Sequence, residues 1–178
     1  MGQKINPKVM RVGITRTWPS KWFAGPRDYI SQVRQDVLVR KFLTKHLREA
    51  GIDRIEIERP SGKRIVIGIH TAKPGLIIGR GGAGIEDLKK KLHSKFLKNF
   101  RMGEISVNIN EVERPNLSAQ IVLQSMVLDI EKRLPFKRVM KQAIGRVERS
   151  GALGVKVMMS GRLNGAEIAR RAMLISGK

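Results

Sequence analysis

Glycines 79, 81 and 84 give the spacing G-x-G-x-x-G within Gly79-Arg80-Gly81-Gly82-Ala83-Gly84. A loop of this kind lets backbone N–H groups approach a phosphate closely, because no Cβ stands in the way. The phosphate turn of a dinucleotide-binding fold would need a parallel strand running straight into the first glycine. Pro74-Gly75 leaves only Leu76 to Ile78 for that strand, and no further strand-helix alternation supports a doubly wound sheet, although Glu111 stands where a ribose-binding acid could sit. The Walker pattern is absent, since no Gly-Lys-Ser/Thr follows. A purely structural turn would explain the glycines but not Arg80. No other constellation competes for chemistry. His46, His70 and His93 are 24 and 23 residues apart with no ligand nearby, so no metal site is expected. The carboxylate pairs Glu56/Glu58 and Glu86/Asp87 read as strand and helix-start placements, and the eight methionines as core filler. There is no cysteine, which excludes disulfides, thiolate metal sites and thiol nucleophiles. No catalytic residue, cofactor or small-molecule substrate is expected.

The elements around the loop decide its reading. Residues 28–50 lack Pro and Gly, carry Val39, Leu43 and Leu47 at spacings of four, and stop at Gly51, which predicts a helix. Ile55 and Ile57 alternate with Glu56 and Glu58, a turn follows at Pro60-Ser61-Gly62-Lys63, and Ile65, Ile67 and Ile69 alternate again: a hairpin with one buried face. After the loop, Ile85, Leu88, Leu92 and Phe96 follow helical spacing, and Ile105, Val107 and Ile109 a strand. Helix, strand, strand, short helical turn, glycine loop, helix, strand is the order of a type II KH domain. There a G-x-x-G loop brings its backbone against the phosphates of about four single-stranded nucleotides. Gly79, Arg80, Gly81 and Gly82 are therefore the candidate RNA-binding loop.

Beyond Arg114-Pro115-Asn116 the pattern restarts with helical stretches over 117–133 and from Phe136, then a strand at Val155, Val157 and Met159 and another over 170–175. The chain is read as α/β (α+β): a basic arm over 1–25, a type II KH domain over 26–112 and a small α/β domain over 113–178 with two helices on a sheet. The arm is expected to be irregular, with Trp18, Trp22 and Phe23 packing onto the domain as a flap more readily than stacking on bases. On a helical wheel Lys137, Arg138, Lys141 and Arg149 oppose the stripe Phe136, Val139, Met140, Ala143, Ile144 and Val147, with Glu148 diluting the basic side.

The 36 Lys and Arg against 15 Asp and Glu leave a formal charge of +21, which calls for a polyanionic partner. The charge is dispersed over Arg11 to Lys21, Lys89 to Lys98, Lys132 to Lys141 and Arg162 to Arg171. Dispersion suits a protein surrounded by folded RNA better than a free regulator with one basic stripe, and a nucleotide-dependent enzyme would need an acidic constellation that is missing. No apolar run nears the roughly 18 residues of a membrane span, and the N-terminus lacks a signal peptide's apolar stretch, so a cytoplasmic protein without a membrane partner is expected.

Longer blocks go further than the loop. Met1-Gly2-Gln3-Lys4-Ile5-Asn6-Pro7, Ile55-Glu56-Ile57-Glu58-Arg59, His70-Thr71-Ala72-Lys73-Pro74-Gly75 leading into Ile78-Gly79-Arg80-Gly81-Gly82, and Ser160-Gly161-Arg162-Leu163-Asn164-Gly165-Ala166-Glu167-Ile168-Ala169-Arg170 run almost end to end. Together they closely resemble the bacterial ribosomal protein S-three family of the small subunit. The resemblance implies an N-terminal type II KH domain and a C-terminal α/β domain, docked on rRNA in the subunit head beside the pore where mRNA enters, with neighbouring small-subunit proteins as further partners and no enzyme active site. In the family, basic residues on a C-terminal-domain helix line that pore and help unwind mRNA, and the matching residues here are Lys137, Arg138 and Lys141. Candidate rRNA contacts are Lys4, Asn6, Lys8, Arg11, Arg16, Lys89 and Arg162. The family continues past the position of Lys178 with a Pro-Leu-x-Thr-Leu-x-Ala-Asp-type strand, so the last sheet is expected to lack its final strand or to be completed by something else.

Overall fold

In the computed structural model, which describes residues 2–60 and 64–177, order begins well before Pro26. Pro7 presets φ at the start of α1 (Pro7–Met10), and Asn6 Oδ1 accepts from Lys8 N at 3.0 Å as the cap. The segment expected to be irregular then supplies a strand, β1 (Ser20–Lys21), paired parallel to β2 (Ile52–Glu58). Its brevity follows from its neighbours: Pro19 has no N–H to give, and Gly25-Pro26 starts α2 (Pro26–His46). The Pro19 carbonyl accepts from Ile57 N at 3.0 Å and from Arg40 Nη2 at 2.7 Å, so this stretch is held from both the sheet and α2.

α2 ends in a short 3-10 turn over Arg48–Ala50, and Gly51 at φ 68° takes the left-handed position that closes it. β2 runs antiparallel to β3 (Ile65–Thr71); residues 61–63 of the expected turn lie outside the described residues. Next come α3 (Pro74–Ile78), a 3-10 turn over Arg80–Gly82, α4 (Ala83–Lys95) and β4 (Ile105–Glu111), which pairs parallel to β3. The sheet order is β1-β2-β3-β4. Ile55, Ile57, Ile65, Ile67, Ile69, Ile105 and Val107 point to one face and are buried with Val39 and Leu43 of α2, Ile77 of α3, and Leu88 and Leu92 of α4. Period-two strands and period-3.6 helices thus meet in one core. A register irregularity between Ile52 and Arg54 lets Ile52 stay buried while Arg54 turns outward.

The units are Met1–Glu111 and Val112–Lys178. The second opens with a 3-10 turn over Pro115–Leu117 and continues with α5 (Ala119–Glu131), α6 (Phe136–Arg149), β5 (Gly154–Gly161) and β6 (Arg170–Gly177). Arg133 at φ 63° turns the chain between the helices. Met126, Val139, Met140, Ala143 and Val157 form its core, with Val122, Ile144 and Leu174 against it. β5 and β6 form an antiparallel two-stranded sheet, and Asn164 and Gly165, both at positive φ, turn the chain between them. No helix among the described residues is long and apolar enough to cross a membrane.

Candidate nucleic-acid interface

The glycine loop is placed by its entrance. Thr71, at the end of β3, is fully buried and its hydroxyl donates to Ala50 O at 2.6 Å, while Lys73 N donates to Ala50 O at 3.1 Å and Ala72 N to Gly51 O at 2.9 Å. These bonds fasten the chain just before Pro74, which fixes where α3 starts. The glycines then divide by cause. Gly79, Gly81 and Gly82 have φ of 70°, 60° and 82°, which a side chain disfavours, and nothing lies within 4 Å of a Cβ built on Gly81 or Gly82. Their backbone is open to a ligand. Gly84 is different: a Cβ there would lie 2.5 Å from Ile77 O and 2.9 Å from Ile78 O, so the third glycine of the spacing serves the close crossing of α3 and α4. Arg80 is exposed, and Lys89 lies half-buried on α4.

A buried network without any local sequence signal holds the arm. Asp36, on α2, and Arg59, just after β2, are both buried and meet at 2.6 Å. Asp36 Oδ2 also accepts from Trp22 Nε1 at 2.8 Å and Ser20 Oγ at 3.3 Å. The Arg59 guanidinium lies 5.6 and 5.7 Å from the centroids of the Trp22 and Phe100 rings, and its buried Nε has no hydrogen-bond partner among the described residues. The expected aromatic flap is therefore only one residue deep. Trp22 packs because its N–H finds Asp36, whereas Trp18 is 62% and Phe23 96% exposed.

The opposite face of the sheet carries charge. Glu56 receives Arg54 Nε at 2.9 Å and Lys21 Nζ at 3.3 Å, and Lys21 also reaches Glu58 at 2.8 Å. Gly68, opposite Glu56 across the hairpin, leaves room for these side chains. Burial pushes the Glu56 carboxyl up, but hydrogen bonds from Arg54 and Lys21 outweigh it and the group titrates below the ordinary 4.5. Burial and the Arg54 charge hold His70 below 6.5, although Glu56 Oε1 stands 3.5 Å from its Nε2. Lys21, one of the arm's cations, is thereby committed to the protein's own carboxylates.

In the arm, Lys4, Lys8, Arg11 and Arg16 are exposed; Asn6 is exposed as well but spends its side-chain oxygen on the α1 cap, and Arg11 Nη1 donates to Pro7 O at 3.4 Å. In the second unit Lys137, Arg138 and Lys141 are all exposed while Val139, Met140, Ala143 and Val147 are buried, so α6 presents one basic and one apolar side. Glu148 lies exposed on this helix and accepts from Ser176 Oγ of β6, which ties down the acid that would dilute the basic side. Arg162 Nε donates to Ala166 O at 3.0 Å, bracing the turn before β6.

A helix-strand-strand-helix-loop-helix-strand unit with an open glycine loop, followed by a small helical α/β unit with a cationic helix face, defines an RNA-binding protein of the KH class. Comparison agrees: the family described as "KH domain" matches residues 38–117, and that described as "Ribosomal protein S3, C-terminal domain" matches residues 126–178. The chain is 49% identical over 173 residues to the small ribosomal subunit protein uS3 of Leuconostoc citreum, covering 96% of this chain and 77% of that protein. It is 48% identical over 179 residues to uS3 of Oenococcus oeni, covering 99% and 67%, and 47% identical over 178 residues to uS3 of Pelotomaculum thermopropionicum, covering 100% and 74%. The chain belongs to the uS3 family of small ribosomal subunit proteins.

Proposed function

We propose that this protein is a structural, non-enzymatic component of the small ribosomal subunit in the cytoplasm, binding rRNA in the subunit head and lining the channel where mRNA enters. The observation that carries the reading is identity near one half to uS3 proteins along practically the whole chain. Two features of the fold support it. The open backbone at Gly81 and Gly82 suits close approach to phosphates, with Arg80 beside it. On α6, Lys137, Arg138 and Lys141 suit the backbone of a passing strand, where they would help to unwind structured mRNA. Lys4, Lys8, Arg11, Arg16, Lys89 and Arg162 supply further rRNA contacts.

The test has two arms. In a low-salt lysate the protein should sediment with small subunits, and free protein would overturn the assignment. Ribosomes carrying Lys137→Ala, Arg138→Ala and Lys141→Ala together should translate unstructured mRNA nearly normally and slow on a stable hairpin. The buried stripe is untouched and Ala is a good helix former, so α6 should persist. Unchanged hairpin transit would remove the unwinding role while leaving rRNA binding in place.

A further inference from the structure

The first half of α2 and the connection from α4 to β4 line a cleft of about 590 Å³, with Arg59 as the one buried residue of its wall. On a chain of net charge +21 this wall is balanced: Asp28 and Glu104 stand against Arg59 and Arg101. A site for phosphates would carry an excess of cations. A neutral wall that also holds the amides of Gln32, Gln35 and Asn99 suits an uncharged ligand with donors and acceptors side by side. Part of the wall's capacity is unspent. Arg59 is only 6% exposed, yet its Nη1 makes one long bond, 3.4 Å to Gln35 Oε1, and so keeps an N–H to give. Glu104 gives Oε2 to the Arg101 N–H at 2.8 Å, whereas both Asp28 carboxylate oxygens are without a hydrogen bond among the described residues.

We infer that this cleft takes an unpaired guanine base. Guanine alone among the bases shows two adjacent acceptors, O6 and N7, on one edge and two adjacent donors, N1–H and the 2-amino group, on another. A guanidinium matches the first pair and a carboxylate the second, each in bidentate fashion. Arg101 with Arg59 Nη1 supplies the donors, and Asp28 the two acceptors. N1–H and the 2-amino group are the atoms that bind cytosine in a duplex, so a paired guanine is refused. The volume lies in the range of clefts that enclose a small ligand. The guanine can belong to a free nucleotide or to a nucleotide turned out of an RNA strand. None of Gly79 to Gly82 lines the cleft, so the inference does not rest on the proposed function.

The experiment uses the full chain and probes of matched charge, so that the attraction of +21 for phosphate cancels. Calorimetry compares GMP with IMP, which lacks the 2-amino group, and with AMP. Anisotropy compares a labelled uridine dodecamer with one holding a single central guanosine. GMP should bind at least about fivefold tighter than AMP and IMP, and the guanosine dodecamer at least about fivefold tighter than its parent. Asp28→Asn should abolish the preference over IMP, and Arg101→Gln should weaken GMP to the level of AMP. Both residues are exposed, so the fold should survive, and an unchanged melting temperature checks it. A preference seen with the free nucleotides only, and lost in the variants, supports a nucleotide site; one seen with the dodecamers only, and lost in the variants, supports an extruded RNA base. No preference for guanine in either arm overturns the inference, as does a preference that persists in both variants.

Discussion

Asp36 and Arg59 are the residues on which the amino-terminal stretch depends most. Removing one partner of a buried ion pair strands the other charge, typically at a cost of about 3–5 kcal/mol. Asp36→Ala should therefore lower folding stability by about that much and free Trp22, while Asp36→Leu with Arg59→Met should recover much of the loss; urea midpoints and Trp22 fluorescence measure both. The glycines allow a second separation. Gly84→Ala should destabilise by about 1–3 kcal/mol, because its Cβ would overlap the Ile77 carbonyl in a tight helix crossing. Gly81→Asn and Gly81→Asp share the strain of φ 60°, which Asn and Asp tolerate better than other residues, but only Asp adds a charge that repels phosphate. Both should melt nearly alike, and only Asp should sharply weaken rRNA binding in a filter assay; equal binding would make the loop a turn and nothing more. Gly79 to Gly82 are legible in the sequence because glycine at short spacing is itself the signal. Asp36 with Arg59 is not, since nothing local marks two charges 23 positions apart as buried partners.

Strands and helices were more legible than their connections. The alternating isoleucines at 55, 57, 65, 67 and 69 and the apolar stripe of α6 became buried faces, because period two and period 3.6 each place their residues on one side. β1 was not legible: two residues carry no periodicity, and Ser20 and Lys21 pair only because Arg40 and the β2 backbone hold Pro19 and its neighbours. The β2 to β3 hairpin also sets a pH dependence. His70 has a folded pKa below 6.5, so between 6.5 and that lower value the unfolded chain binds more protons, and stability falls as pH falls through this window. Glu56, depressed below 4.5, adds a second loss as pH falls from 4.5 through its folded value. Around them stand Asp53, Arg54, Glu58 and Lys21, so the effect belongs to one charged face. Urea midpoints should drop between pH 7.5 and 5.5 in the parent, and His70→Gln should flatten that first drop while leaving most of the second, which Arg54 and Lys21 dominate; a first drop that persists in the variant would assign it to other groups.

At the scale of the whole chain the sign of the charge governs behaviour. Residues 1–111 hold 23 basic and 10 acidic side chains, and residues 112–178 hold 13 and 5, so both units repel themselves as well as attracting polyanions. The second unit has the thinner core, built on Met126, Val139, Met140, Ala143 and Val157, and a domain of that size has little stability to spare. Salt should consequently act in opposite directions on folding and on function. Raising it from low to moderate ionic strength screens self-repulsion and should raise the urea midpoint, with the larger gain in hydrogen-exchange protection expected at β5 and β6 rather than at β3. Over the same range RNA affinity should fall steeply, because each neutralised phosphate releases a counterion whose entropy gain shrinks as salt rises. RNA added at low salt should reproduce the stabilisation, since a ligand that binds the folded state shifts the folding equilibrium by mass action. If salt and RNA instead left β5 and β6 exchange unchanged, self-repulsion would not be what limits this unit, and its thin core alone would account for its marginal stability.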